Sequence, residues 1–88
     1  MSKPVAFVTG GAKGIGKAIS EEFARNGFDV VIAGRDASAI DACVADLRGQ
    51  TDQTIIGKVL DITNTESIDQ VFAEVGQEFG SLTTLVNC

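Results

Sequence analysis

Thr9-Gly10-Gly11-Ala12-Lys13-Gly14-Ile15-Gly16 has the residue types and spacing that hold a phosphate. It follows the apolar run Val5-Ala6-Phe7-Val8 directly and leads into Ile15, Ile19 and Phe23 at helical spacing. In a strand, glycine turn and helix start, the glycines let backbone approach an anion. The first helical turn adds free N–H groups and the positive end of its dipole. The chemistry this predicts is capture of a nucleotide. Other chemistries lack their residues. The chain has no His and no Tyr. That excludes Ser-His and Cys-His nucleophile pairs and a phenolic acid. With no CxxC either, no metal-ligand pattern is present.

Three kinds of glycine loop compete for this stretch. The G-x-G-x-x-G fingerprint fits no register. Gly11-Ala12-Lys13-Gly14-Ile15-Gly16-Lys17-Ala18 matches G-x-x-x-x-G-K. However, it puts Ala18 where a Ser or Thr hydroxyl must bind Mg²⁺, which argues against metal-assisted phosphoryl transfer. The pattern T-G-x-x-x-G-x-G, starting at Thr9, fits throughout.

The elements that must position this turn follow from periodicity. Strand one is Val5–Thr9. Helix one runs from Gly14 to Asn26, with Gly27 stopping it. Strand two is Asp29–Ala33. Asp36 or Ser38 caps helix two, whose inner stripe is Ile40, Val44 and Leu47, with Gly49 past its end. Strand three is Ile55–Leu60. Thr63 and Glu66 fit a capping box, with Asn64 a competing cap. Helix three shows Ile68, Val71, Phe72, Val75 and Phe79 and ends at Gly80; strand four is Thr84–Asn87. Strands one, two and four are short, apolar on both faces and rich in Val, as parallel strands covered by helices are. The alternation predicts an α/β fold: a doubly wound parallel sheet in the order 3-2-1-4. Helices one and two then cover one face and helix three the other.

At 88 residues the chain is one domain at most, burying roughly 60–65% of its unfolded surface. No stretch approaches the ~20 apolar residues of a membrane span, and the N-terminus does not read as a signal peptide. A cytoplasmic location is expected. The net charge of −5 is uneven: residues 1–35 carry five cations against three acids, residues 36–88 two against nine. Positive charge gathers near the glycine turn, which suits a small anion rather than nucleic acid. Cys43 and Cys88 make no disulfide framework; Cys43 reads as a small buried residue beside Val44.

The T-G-x-x-x-G-x-G spacing after the first strand resembles the short-chain dehydrogenase/reductase family. Gly34-Arg35-Asp36 after strand two, Leu60-Asp61-Ile62 after strand three and Leu85-Val86-Asn87-Cys88 at the end extend the resemblance from Val5 to Cys88. The last resembles the family's L-V-N-N-A-G, with Cys88 departing from the second Asn; Thr83 also replaces a common Asp. The resemblance implies a Rossmann-type domain. Residues 1–88 would be its N-terminal dinucleotide-binding part, ending after the fourth strand.

It also implies residue roles. Gly10 permits the tight turn. Gly14 and Gly16 permit close approach of helix to strand and cofactor, although Gly16 equally suits helix packing alone. Backbone N–H groups at Gly14 and Ile15 would face the pyrophosphate, and Ala12 would lie along the adenosine ribose. Asp61, with Ile62 beside it, resembles the adenine-contacting aspartate, and Asn87 the first Asn of N-N-A-G near the ribose. An NAD site wants a carboxylate at the position of Gly34. Here Gly34 is uncharged and Arg35 follows, a side chain suited to a 2′-phosphate, with Lys13 in reach of the same group. Asp36 is an alternative 2′-OH acceptor or simply a cap. NADP(H) is favoured, with NAD(H) the alternative.

The implied reaction is hydride transfer between nicotinamide C4 and a carbonyl or secondary alcohol. The family's catalytic Ser, Tyr, Lys and Asn all lie beyond N-N-A-G, so no catalytic residue is carried over. The 88 residues are expected to be inactive alone, and the full-length protein to be a homo-oligomer. A non-catalytic nucleotide-binding or interaction module is the alternative.

Overall fold

In the computed structural model, the described residues are 4–10, 12, 14–60, 63, 65–79 and 84–87, of which 65, 67, 72, 78, 79 and 87 are described by backbone alone. Seven elements alternate: β1 (Val5–Thr9), α1 (Gly14–Arg25), β2 (Asp29–Gly34), α2 (Ala37–Arg48), β3 (Ile55–Val59), α3 (Thr65–Phe79) and β4 (Thr84–Asn87). The strands form one parallel sheet in the order β3-β2-β1-β4. This is the order expected of a doubly wound sheet, in which the connection from β3 to β4 reverses direction.

The strands are apolar on both sides because each side feeds a different core. Ala6, Val8, Val30 and Ile32 face α1 and α2, joining Ala24, Ile40, Cys43, Val44, Leu47 and Ile55. Val5, Phe7, Val31 and Ala33 face α3, joining Leu60, Val71 and Val75. Period-two alternation thus splits one apolar run between two layers. Phe7 is fully buried, worth about 1.5–3 kcal/mol of transfer free energy. Phe72 and Phe79, expected in the α3 stripe, have side chains outside the described set, and Gly80 lies outside it altogether.

The termini of the helices explain most boundaries. Asp36, not Ser38, caps α2: its side chain accepts the Ala39 N–H at 3.1 Å. Gly27 has φ +87°, and its N–H donates to Ala24 O while Phe28 N–H donates to Phe23 O, 3.2 and 3.1 Å. That double closure ends α1 at Arg25, one residue before the expectation. Of the candidate α3 caps, Asn64 lies outside the described residues, and the helix begins at Thr65. β2 extends one residue further than expected, to Gly34, and β3 stops at Val59. The Leu60 N–H still donates to Gly34 O at 2.7 Å, so the ladder continues past the strand's end.

The helical spacing of Ile15, Ile19 and Phe23 does not mark the buried face of α1: Ile15 is 77% exposed. The buried row is Gly16, Ser20 and Ala24. Small residues four apart let α1 lie close on the sheet, so the larger Ile19 and Phe23 are pushed to its flank. Close packing recurs at Gly57, where an added Cβ would collide with Ile40 Cγ2. Among the described residues, no helix is long and apolar enough to cross a membrane.

Candidate functional site

The register places the predicted residues along one edge. Thr9 pairs with Ala33 of β2 and with Asn87 of β4, and Gly34 pairs with Val59 of β3. Gly10, Gly34-Arg35 and Asn87 therefore all stand at the carboxyl ends of their strands, where parallel α/β sheets bind ligands. The reversal of strand order falls between β1 and β4, beside the glycine turn.

The turn leaves the sheet along β2. The Gly10 N–H donates to Ala33 O at 2.8 Å, and Gly10 has φ +69°, a left-handed conformation that a side chain resists. Gly14 has φ +55°, and a Cβ built there meets nothing within 4 Å. Glycine at Gly14 is thus required by backbone angle, and the space before it is open. Gly14 also begins α1, whose first N–H groups have no partner inside the helix. Ala12 is half-buried against the α1–α2 core. Gly16 is buried beneath the helix, and Ser20 Oγ donates to its carbonyl at 2.9 Å. Ile15 stands exposed at the mouth of the turn. The structure thus places Gly10, Ala12, Gly14, Ile15 and Gly16 between the end of β1 and the start of α1. Lys13 of that turn lies outside the described residues, as do Asp61 and Ile62 after β3.

One contributor was missed from the sequence. Thr9 Oγ1 donates to Val86 O at 3.3 Å, fastening β1 to β4 at the point where the order reverses. The sequence marks Thr9 as the first residue of T-G-x-x-x-G-x-G, but not this bond to β4.

Lys17, the lysine of the rejected G-x-x-x-x-G-K register, is held elsewhere. Its ammonium pairs with Asp46 of α2 at 3.0 Å. The hydrogen bond, then the charge, raises the Lys17 pKa above its ordinary value and lowers that of Asp46. Lys17 is therefore a strut between helices rather than a phosphate ligand. Arg35, by contrast, is exposed on the bend after β2, and no ion pair holds it among the described residues. Asp36 beside it is committed as the α2 cap. Asn87 reaches the same edge through its backbone position on β4. Cys43 is buried, and desolvation pushes its thiol pKa up, so it stays a neutral core group. Among the described residues, no cluster of His, Cys, Asp or Glu can hold a metal ion.

Comparison with known proteins agrees with this geometry. The short chain dehydrogenase family profile matches residues 4–88. An L-2,3-butanediol dehydrogenase from Corynebacterium glutamicum is 39% identical over 88 residues, 99% of this chain and 34% of its own. The structure of an actinorhodin polyketide ketoreductase with NADPH superposes with a TM-score of 0.92 at 26% identity, over 100% of this chain and 34% of its own. An alcohol dehydrogenase from the archaeon Thermococcus sibiricus, complexed with 5-hydroxy-NADP, does so at 0.88 and 26%, over 93% and 35%. The chain spans about a third of the length of these relatives. With a parallel sheet in the order β3-β2-β1-β4 and its glycine turn at the reversal, the chain belongs to the short-chain dehydrogenase family.

Proposed function

We propose that the chain is the N-terminal, cofactor-holding part of a single Rossmann domain, and that it binds NADP(H) across the carboxyl edge of its sheet. The observation that carries this is the meeting, on one edge, of the positive-φ glycines Gly10 and Gly14 with the exposed Arg35, which no ion pair holds among the described residues. The residues fit the group. Gly14 leaves open the space a Cβ would fill, and the first N–H groups of α1 have no partner inside the helix.

In this reading the N–H groups of Gly14 and Ile15 bind the pyrophosphate, and Gly16 keeps the helix start close to the sheet. Ala12 lies along the adenosine ribose. Arg35 and Lys13 take the 2′-phosphate, Asp61 and Ile62 border the adenine, and Asn87 stands near the cofactor ribose. Asp36 caps α2 through the Ala39 N–H, and it is Arg35, with donors suited to a 2′-phosphate, that favours NADP(H) over NAD(H). The ketoreductase with NADPH and the dehydrogenase with 5-hydroxy-NADP support the same choice. When bound, the cofactor supplies or accepts a hydride at nicotinamide C4, the other partner being a carbonyl or secondary alcohol. This chain's residues bind and orient; none is assigned a proton-transfer role.

Titration with NADPH and NADH tests the reading. An arginine–phosphate contact is worth ~1.5–3 kcal/mol, so NADPH should bind about ten- to a hundredfold tighter. Arg35→Ala should remove most of that difference. Equal affinities in the unmodified chain would sink the assignment. The 88 residues alone should oxidise no NADPH with a panel of carbonyl substrates.

A further inference from the structure

In a parallel ladder a strand turns alternate residues toward each neighbour. β3 has β2 on one side, and its other side is an edge of the sheet. The Val30 N–H donates to Thr54 O at 3.0 Å, and the Leu60 N–H donates to Gly34 O at 2.7 Å. With Val30 opposite Ile55 and Gly34 opposite Val59, the ladder to β2 takes the peptide groups of Ile56 and Lys58. Those of Ile55, Gly57 and Val59 point outward, along an edge that no described strand pairs.

One of these outward groups is taken by a side chain. Arg48 Nε donates to Ile55 O at 2.9 Å. Arg48 is the last residue of α2, and α2 lies so close on β3 that a Cβ at Gly57 would collide with Ile40 Cγ2. The helix therefore sets this arginine at the strand's edge, where no ion pair holds it among the described residues. A cation in the last turn also complements the helix dipole, but that role needs no bond to a strand. Lys58, on β3 itself, is held by Glu74 of α3 at 3.0 Å.

The edge is self-complementary. Its outward residues are symmetric about Gly57. An antiparallel second copy centred there sets Gly57 against Gly57 and Ile55 against Val59, and each pair exchanges N–H and C=O groups. Gly57 brings no side chain to the centre, and Val59 is 57% exposed. In that pairing Ile55 O must accept the Val59 N–H of the second copy, yet Arg48 already occupies it. We infer that the β3 edge is a strand-pairing surface for a second copy of this chain, and that Arg48 holds it shut by capping the Ile55 carbonyl. Protection of open edges by charged side chains is a general device against such pairing.

Arg48→Met tests this, since it keeps the aliphatic stem and removes the donor. In sedimentation equilibrium the variant should dimerise about tenfold or more tightly than the unmodified chain. In hydrogen exchange, the Gly57 and Val59 amides should be unprotected in the unmodified chain and gain protection with rising concentration of the variant. The Ile56 and Lys58 amides, bonded to β2, should be protected in both. Adding Val59→Pro should return association to the unmodified level, because proline there removes only an outward N–H. Circular dichroism separates misfolding from pairing, and Arg48→Ala serves if Arg48→Met does not fold. A folded variant with no gain in association overturns the inference. So does a gain that survives Val59→Pro, or protection that appears at Leu85 and Val86 of β4 instead of at Gly57 and Val59.

Discussion

At its carboxyl end, α1 turns on Gly27 and satisfies its own groups. Phe23 O and Ala24 O accept the N–H groups of Phe28 and Gly27, and Asn26 Nδ2 donates to Glu22 O at 2.7 Å. The rings of Phe23 and Phe28 close over the turn edge to face, 4.8 Å between centroids. At its amino end the same helix turns on Gly10 and Gly14, also with positive φ. There a Cβ built on Gly14 meets nothing within 4 Å, and Ile15 is exposed. Both ends use glycine for the same backbone reason, but among the described residues it is the carboxyl end that shows its helix-closing hydrogen bonds. A turn whose role is structural closes its own hydrogen bonds. A turn whose role is binding leaves donors for a ligand to satisfy.

Substitutions at the two ends should therefore separate binding from stability. The largest effect is expected from Gly14→Val, which puts a β-branched residue at φ +55° and fills the space before the helix. NADPH affinity should fall about a hundredfold or more in a fluorescence titration. Loss of folding without selective loss of binding would erase the contrast between the ends. Gly27→Ala is the converse. The left-handed backbone should cost about 1–2 kcal/mol in urea unfolding, while the folded fraction binds NADPH as before. Asp36→Ala sharpens the comparison at a third helix end, on the ligand edge yet capped by its own side chain. It should lose about 1 kcal/mol of stability and keep its preference for NADPH; a switch toward NADH would mean the carboxylate does more than cap.

The smallest effect belongs to the exposed Lys17–Asp46 strut. The folded Asp46 pKa is lowered, first by the Lys17 hydrogen bond. Its contribution is therefore present above the unfolded carboxylate pKa and lost as pH falls through the folded one. Lys17 is raised, so its share is lost only as pH rises through its folded value. Asp46→Asn should unfold slightly more readily than the unmodified chain near neutral pH, and the two should converge as Asp46 protonates in acid. A gap that persists in acid would mean that Asp46 contributes packing rather than charge.

Much of this was legible in the sequence, for stated reasons. The Val-rich strands alternate with apolar helical periods, and that determines a parallel sheet between helices. Gly27 and Asp36 are local signals, because a left-handed turn and a cap involve only neighbouring residues. Gly10 and Gly14 were legible for the same reason. The inward face of α1 was not. Ile15, Ile19 and Phe23 keep a true helical period, yet hydrophobicity alone picks the largest residues, whereas contact with the sheet picks the smallest. The row Gly16, Ser20 and Ala24 is the signal that would have shown it. The fate of Lys17 was equally hidden, since its partner Asp46 lies 29 residues away on another helix.

The sequence by itself determined the elements, the glycine turn and the absence of His and Tyr, because residue type and local spacing govern these. The tertiary structure decided which residues share an edge. Register brings Gly10, Gly34 and Asn87 to one side of the sheet, and the reversed crossover opens the site between β1 and β4. Pairing across long sequence separations and the handedness of connections are properties of the assembled sheet, and no local pattern in the chain encodes them.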